Sequence, residues 1–518
     1  MNILLVDPDL FKVQACNEPT DDRLLYPPLG LMKLSTYHKQ RGDQVKFVRG
    51  CDKTIIYDLF NEQPLWDRVY ICTVFTYNFR KIVSTINFYK EAVGGTVSKI
   101  FVGGIAASLI PNEIFEETGI YPVEGLLTNS NKIGFIDQVN IDQLVPDYSI
   151  LSKELYAINS TFYAYATKGC VNKCAWCAVP TLEPVFVPYV DIKPIILELR
   201  ERNGDKSKLK LMDNNVLASS ELDKIVDDLL FLGYGKNDYT NTSPRKKRSI
   251  DFNQGIDASF VTEKNMKLLS RLCIKPMRIA FDDLQEKNDY TRAIEIAYRF
   301  GVDEFSNYLL YDFKDNPRSL YERMKINIRI NEKWKTDRGR NANIYSYPMR
   351  YAHIKSTGNN GSEREDVPDT SKREDILDTA KCSIAEWFAD PSWTKRFKRS
   401  IEIMKGAANG AISPTTSLAW RTIGETFEEF ITNLYMPEEL LRNRNKHEKR
   451  TYLASGKRGS GLIEEFRQFL LSLVRNNDQR FYSFHNAVST NSMKKIKEAI
   501  NNCMDKELRR WLKYYTLR

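Results

Sequence analysis

Hydrophobic and polar positions along the first third of the chain switch repeatedly between two periods. Short apolar runs with strand-like composition stand at "NILLVD" (Asn2–Asp7), "QVKFVR" (Gln44–Arg49), "RVYICTVF" (Arg68–Phe75) and "KIFVGG" (Lys99–Gly104). Between them, "LGLMKLSTYHKQRG" (Leu29–Gly42) and "RKIVSTINFYKEAVG" (Arg80–Gly94) carry the apolar spacing of amphipathic helices. Strand, helix, strand at this spacing predicts a parallel, doubly wound sheet, a Rossmann-like domain over residues 1–150. Ligands of such sheets sit at the carboxyl ends of the strands, so "VDPD", "VFTY" and "FVGGIAAS" are the loops to watch.

After "LVPDYSIL" (Leu144–Leu151) a second series begins. Its strands are expected at "TFYAYAT" (Thr161–Thr167), "KLKLMD" (Lys208–Asp213), "SIDFNQGI" (Ser249–Ile256), "PMRIAFDD" (Pro276–Asp283), "EFSNYLLYDF" (Glu304–Phe313) and "ANIYSYPMRY" (Ala342–Tyr351). Helical stretches such as "VDIKPIILELRERNG" and "SSELDKIVDDLLFLG" separate them. Six units over residues 151–355 fall short of the eight in a closed barrel, so a partial, open (β/α)₆ barrel is expected. Residues 356–375, polar and Gly-rich, read as a linker or mobile loop, and "GKNDYTNTSPRKKRS" (Gly235–Ser249) as a similar polar insertion. From residue 376 to 518 the pattern is helical, which completes an α/β chain with a mainly α C-terminal domain.

Length and composition agree with this division. A chain of 518 residues is too long for one ordinary domain, and 42% hydrophobic with 28% charged residues fits a soluble globular protein. No apolar run approaches the roughly 18 residues of a membrane span. "MNILLVDPDLF" has no basic flank before its short apolar run and reads as a first strand rather than a signal peptide, so the expected compartment is the cytoplasm. Nine cysteines, an odd number and mostly scattered, argue against a disulfide framework. Residues 371–518 hold 27 Lys and Arg against 18 Asp and Glu, so the whole net charge of +9 belongs to the C-terminal part. A phosphate-bearing partner is one reason for such an excess; solubility is another.

The chemistry concentrates in "FYAYATKGCVNKCAWCAVPTLEP" (Phe162–Pro184), which places Cys170, Cys174 and Cys177 within eight positions. Structural zinc wants four closed ligands, and outside the trio no Cys or His lies between Cys72 and Cys273. A redox pair of Cys174 and Cys177 leaves Cys170 unexplained. Three thiolates suit a cubane iron–sulfur cluster with one iron left open to a ligand.

The spacing CxxxCxxC, with aromatic Trp176 just before the last cysteine, resembles the signature of the radical S-adenosylmethionine (SAM) superfamily. That family carries the motif in the loop after the first strand of a partial (β/α)₆ barrel, where it also falls here. The resemblance implies a [4Fe–4S] cluster on Cys170, Cys174 and Cys177, with SAM chelating the fourth iron. It implies reductive cleavage of SAM to a 5′-deoxyadenosyl radical, with a flavodoxin or ferredoxin as electron donor. Lys168 and Gly169 would shape the start of the loop, and Trp176 would shield the cluster from water.

The family also places SAM contacts at later strand ends. Asp213 and Asn214 stand where it often has a Gly-Gly-Glu-like turn, a departure in this chain. Gln254 and Asp257 would face the adenosyl group or the substrate, Arg278 and Asp282 the carboxylate and ribose, and Tyr347 the adenine. Capping or satisfying strand ends is the structural alternative for each.

Residues 1–150 resemble the cobalamin-binding-type domain of one branch of this superfamily, through "YPPLGLMKLSTYHKQRGDQVKFV", "FVGGIAAS" and "VPDYSIL". That branch admits cobalamin as a third cofactor and often methylates carbon. The cobalt-ligating pattern Asp-x-His-x-x-Gly is absent here, and the domain's sole histidine, His38, is expected to be a surface or packing residue. A retained fold acting as a lid or docking surface is the other expectation.

The basic excess gathers in "WTKRFKRS" (Trp393–Ser400), "LRNRNKHEKR" (Leu441–Arg450), "SGKRGSG" (Ser455–Gly461) and "LRRWLKYYTLR" (Leu508–Arg518). Lys and Arg beside aromatics suit nucleic acid, although amphipathic helices with solvated basic faces look alike. Three classes therefore stand: a radical SAM enzyme modifying nucleic acid or a nucleotide, a cobalamin-dependent methyltransferase on a small molecule or peptide, and a non-enzymatic metal-binding protein.

Overall fold

Strand β1 (Asn2–Asp7) alternates its side chains between two hydrophobic clusters. Leu4 and Val6 enter one, Ile3 and Leu5 the other, and all four are fully buried. A strand buried on both faces must have cover on both, and the following elements supply it. These are α1 (Leu29–Gln40), β2 (Gln44–Arg49), β3 (Arg68–Thr73), α2 (Phe79–Tyr89), β4 (Ile100–Gly104), α3 (Ile105–Leu109) and α4 (Pro111–Thr118). The sheet is parallel in the order β2-β1-β3-β4. Leu31, Leu34 and Tyr37 of α1 cover one face; Ile82, Ile86 and Tyr89 of α2 cover the other. A computed structural model of the chain describes residues 1–8, 21, 24–58, 61–64, 66–336, 341–353, 382–406, 410–444 and 461–517. The stretch read as a linker, 356–375, lies outside the described residues, as do 445–460 of the basic region.

The second series of strands forms two separate parallel sheets of three. One is β5 (Thr161–Ala164), β6 (Lys208–Leu211) and β7 (Ser249–Phe252). Their connections carry α5 (Val179–Leu182), α6 (Lys193–Asn203) and α7 (Leu222–Phe231), and α8 (Glu263–Leu269) follows β7. The other is β8 (Met277–Arg278), β9 (Glu304–Tyr311) and β10 (Asn343–Arg350), with α9 (Lys287–Arg299) and α10 (Pro317–Thr336) between them. The chain is thus mixed α/β with parallel sheets.

Two compact units divide these elements. The first takes in Met1–Ile256 and Phe260–Lys275, so it holds the four-stranded sheet together with β5–β7. The second takes in Asp257–Ser259, Pro276–Tyr351 and the C-terminal helices. Those helices are α11 (Ile384–Ala389), α12 (Lys395–Gly406), α13 (Thr416–Ile423), α14 (Phe427–Tyr435), α15 (Glu438–Arg442), α16 (Leu462–Arg475), α17 (Arg480–Val488), α18 (Met493–Asn502) and α19 (Lys506–Tyr514). Tyr435 anchors their core: its hydroxyl accepts from Trp387 Nε1 at 2.9 Å and lies 2.7 Å from His485 Nδ1. Among the described residues, no helix is long and apolar enough to cross a membrane.

Candidate metal centre and the adjoining cavity

The cysteine loop begins where β5 ends and is closed at its base. Lys168 and Val187 exchange both backbone hydrogen bonds, at 3.1 and 2.8 Å, and Val190 N–H donates to the Ala166 carbonyl at 2.7 Å. This short ladder holds the two arms of the loop together. Asp213, just past β6, locks the outgoing arm from beneath. Its fully buried carboxylate accepts from Ala166 N–H at 3.0 Å, from Thr167 N–H, and from the Thr167 hydroxyl at 2.6 Å. Burial raises the Asp213 pKa to about 6, against the pull of those donors.

Gly169 makes the turn into the loop in the left-handed region, with φ +70°. A Cβ there would stand 2.5 Å from the Val185 carbonyl oxygen, so the position tolerates no side chain. Its N–H donates to Glu183 Oε2 at 2.6 Å, and the same oxygen accepts from Asn214 Nδ2 at 2.9 Å. Glu183 therefore joins the start of the loop, its end and the tip of β6.

Within the loop, the donors point at sulfur. Asn172 N–H approaches Cys170 Sγ at 3.3 Å and Val179 N–H approaches Cys177 Sγ at 3.5 Å. The Asn215 side-chain amide adds a contact to Cys170 Sγ at 3.7 Å, and Cys177 N–H donates to the Cys174 carbonyl at 3.1 Å. All three thiols are half-buried. Among the described residues, no three His, Cys, Asp or Glu side chains converge closely enough to hold a metal ion. The donor chemistry itself fits a thiolate-ligated metal: three sulfurs in one short loop, with amide hydrogens aimed at two of them.

Beside the loop base lies a cavity of about 700 Å³, lined among others by Lys33, Asp142, Tyr165, Lys168, Glu183 and Tyr189. A chain of charges runs along its wall. Lys33 Nζ meets Asp142 Oδ1 at 2.9 Å, Lys168 Nζ meets Asp142 Oδ2 at 3.2 Å, and Lys168 Nζ stands 4.0 Å from Glu183. The Lys168 ammonium also sits 3.5 Å from the Tyr165 ring centroid. Burial pushes the Lys33 ammonium below the usual lysine range, with Asp142 opposing the shift. Burial alone would raise Asp142, but Lys33 and Lys168 outweigh it and hold that carboxyl below the ordinary range. A smaller cavity of about 170 Å³ shares Lys33, Leu126 and Asp142 and opens at the carboxyl ends of β3 and β4, against Cys72, Gly103 and Gly104. The β4–α3 turn packs so tightly there that a Cβ on Gly104 (φ +109°) would fall 2.2 Å from the Thr73 carbonyl oxygen.

The residues expected to contact SAM divide between the two units. In the first, Asp213 and Asn214 join the cysteine loop as described, while Gln254 is exposed. In the second, Asp257 accepts the N–H and hydroxyl of Ser259 at 2.9 and 2.7 Å. Arg278 donates to the Ser306 hydroxyl at 3.2 Å and reaches Tyr308 OH at 3.5 Å. Tyr347 pairs with Tyr308 across β9 and β10, ring centroids 6.1 Å apart. Asp282 accepts Leu310 N–H at 3.2 Å, and burial raises its pKa. His38 is a packing residue: it is fully buried, with Nδ1 2.7 Å from Asp43 and Nε2 3.0 Å from Tyr70 OH.

Sequence reasoning passed over Glu183, Lys33 and Asp142. Glu183 did leave a signal, as the single acid between Lys168 and Val190. Lys33 and Asp142 left none, because their pairing joins positions 109 residues apart. No family model matches the chain, and no curated protein matches it.

Proposed function

We propose that the chain is a radical SAM enzyme whose cluster is held by Cys170, Cys174 and Cys177. The observation that carries this reading is a loop at the carboxyl end of a parallel strand that offers three thiols and aims amide hydrogens at Cys170 and Cys177. Amide donors stabilise thiolates and tune the potential of a metal bound to them. Cys170, Cys174 and Cys177 would hold a [4Fe–4S] cluster, which would supply the electron for reductive cleavage of the SAM sulfonium. Every other task falls to the chain. Gly169 and the Lys168–Val187 ladder fix where the thiols start, and in this reading Trp176 would limit water at the sulfurs. Asp213 acts in this reading as a positioning residue for the loop base, and Glu183 ties that base to Asn214. Gln254, Asp257, Arg278, Asp282 and Tyr347 remain the proposed contacts to SAM or substrate. The working compartment in this reading is the cytoplasm, with a flavodoxin or ferredoxin as reductant.

A second reading, cobalamin-dependent methyl transfer to a small molecule or peptide, is favoured by the 700 Å³ cavity beside the cysteine loop. Its described lining includes no histidine, and His38 has both ring nitrogens engaged. Cobalamin would therefore be held there without a histidine on cobalt, by the mixed apolar and charged wall.

Anaerobic reconstitution with iron, sulfide, SAM and dithionite, with and without cobalamin, separates these readings. The radical reading expects 5′-deoxyadenosine, lost in Cys170→Ala. Methyl transfer expects S-adenosylhomocysteine only when cobalamin is added. A colourless protein that retains zinc and forms neither product would make the trio a structural metal site.

A further inference from the structure

Among the described parts of the four basic stretches, one gathers several exposed cations on a single helix face. Residues 445–460 lie outside the described residues. Trp393–Ser400 turns three of its four cations onto partners within the fold, leaving Lys395 exposed. Arg396 is buried against the Met436 carbonyl and Glu438, Lys398 pairs with Asp312 at 2.9 Å, and Arg399 pairs with Glu438 at 3.0 Å. Helix α19 is the opposite case. Leu508, Trp511, Leu512 and Tyr515 are buried in the helical core, while Lys506, Arg509, Arg510 and Lys513 are all exposed on the other side. These four positions repeat at helical spacing, so the cations form one stripe about 10 Å long.

Only Arg510 is neutralised, by Glu465 at 2.8 Å; Lys506, Arg509 and Lys513 form no ion pair among the described residues. Two further acids flank the stripe in sequence: Glu507 on the same helix, exposed, and Asp505 at its start, which is engaged by Arg480 at 2.8 Å. Together with Tyr514, Thr516 and Leu517 the four cations line an open groove of about 590 Å³. Lys494, Lys495 and Lys497 are exposed on α18, which packs against α19.

We propose that this groove docks a single-stranded nucleic acid, the α19 cations neutralising phosphates and Tyr514 stacking on a base. Charge complementarity names a polyanion. The burial of the helix's apolar face argues against a membrane surface, because an interfacial helix needs that face free to enter lipid. The half-buried Tyr514 ring in the groove suits a strand whose bases are unpaired and open to stacking. The proposal does not depend on the cysteine loop, and its test reads binding alone.

The test is fluorescence anisotropy of labelled oligouridylate and oligothymidylate on the full chain over a series of KCl concentrations. Each phosphate neutralised on a single strand contributes a slope of about −0.7 in log K against log salt. Lys506→Glu/Arg509→Glu/Lys513→Glu should therefore flatten the slope by about 2, and Tyr514→Ala should weaken binding about tenfold without changing it. Unchanged thermal melting of the triple variant, whose altered side chains are all exposed, certifies its fold. Identical affinity and slope in wild type and triple variant would overturn the proposal. Vesicles of anionic phospholipid that bind the wild type and displace the oligonucleotide would reassign the stripe to a lipid surface. Equal binding of a duplex, indifferent to Tyr514→Ala, would overturn the single-strand assignment.

Discussion

The carboxylate of Glu183 accepts the backbone N–H of Gly169 at 2.6 Å, across fourteen positions of chain, and so closes the cysteine loop at its base. The contact exists because Gly169 turns its amide inward at φ +70°, a conformation other residues adopt at a cost of about 1–3 kcal/mol. An alanine there adds a clash 2.5 Å from the Val185 carbonyl oxygen. Gly169→Ala should lose at least about 2 kcal/mol in urea denaturation. Glu183→Gln keeps an acceptor for the amide and should lose less than Glu183→Ala, which strips a charge-assisted bond worth about 1.5–3 kcal/mol. Reversal of that order would remove Glu183 as the clasp of the loop.

Asp213 makes stability depend on pH in an unusual direction. Its folded pKa of about 6 lies above the ordinary value of 3.8, so between those values the folded chain holds a proton that the unfolded chain has released. Stability from this group is complete below pH 3.8 and falls as pH rises through 6, by about 3 kcal/mol in all. Asp213→Asn removes the titration. Subtracting its stability curve from that of the wild type should isolate a decline across this window, measured by denaturant melts from pH 3.5 to about 7. A flat difference would show that the carboxylate is not strained by burial.

Thiol reactivity should sort the cysteines. All four thiols, Cys72, Cys170, Cys174 and Cys177, are half-buried, but desolvation pushes the Cys72 thiol up to about 12, whereas the loop offers amide donors to the sulfurs of Cys170 and Cys177. Thiolate is the reactive form, so iodoacetamide at pH 8 should label the trio well before Cys72. Peptide mass spectrometry reads the order directly. Prior reconstitution with iron and sulfide should protect all three loop cysteines together and leave the slow rate of Cys72 unchanged.

Asp142 carries two lysines, and removing it differs from removing one of them. Lys33→Met leaves Asp142 paired to Lys168, so a loss of about 1 kcal/mol is expected. Asp142→Leu leaves both ammonium groups facing each other at the cavity wall and should cost about 3 kcal/mol or more. The double variant Lys33→Met/Asp142→Leu should recover part of that loss. Strict additivity in thermal or chemical melts would mean the two groups do not couple.

Much of the secondary structure was legible because it is local. β1 and β2 coincide with the expected segments, and α1 starts at Leu29 as its apolar spacing requires. Thr161–Thr167 was expected as one strand, yet it is strand only to Ala164, because Asp213 captures the next backbone amides, Ala166 and Thr167, for the loop base. The polar residues at strand ends were legible as candidates, but not their partners. Nothing around Asp213 announces that its oxygens bind backbone 46 and 47 residues away.

By itself, the sequence determined which segments are strands and helices, though not where each strand ends, and that three thiols share one short loop, since both follow from residue types at neighbouring positions. It also determined the basic excess of the last 148 residues, 371 to 518. Only the tertiary structure decided which cations are spent. Arg396 and Lys398 fold inward onto carbonyls and carboxylates, whereas Lys506, Arg509 and Lys513 stay in water. The reason is physical: a charge is buried or exposed according to what the fold packs against it, and those partners lie far away along the chain.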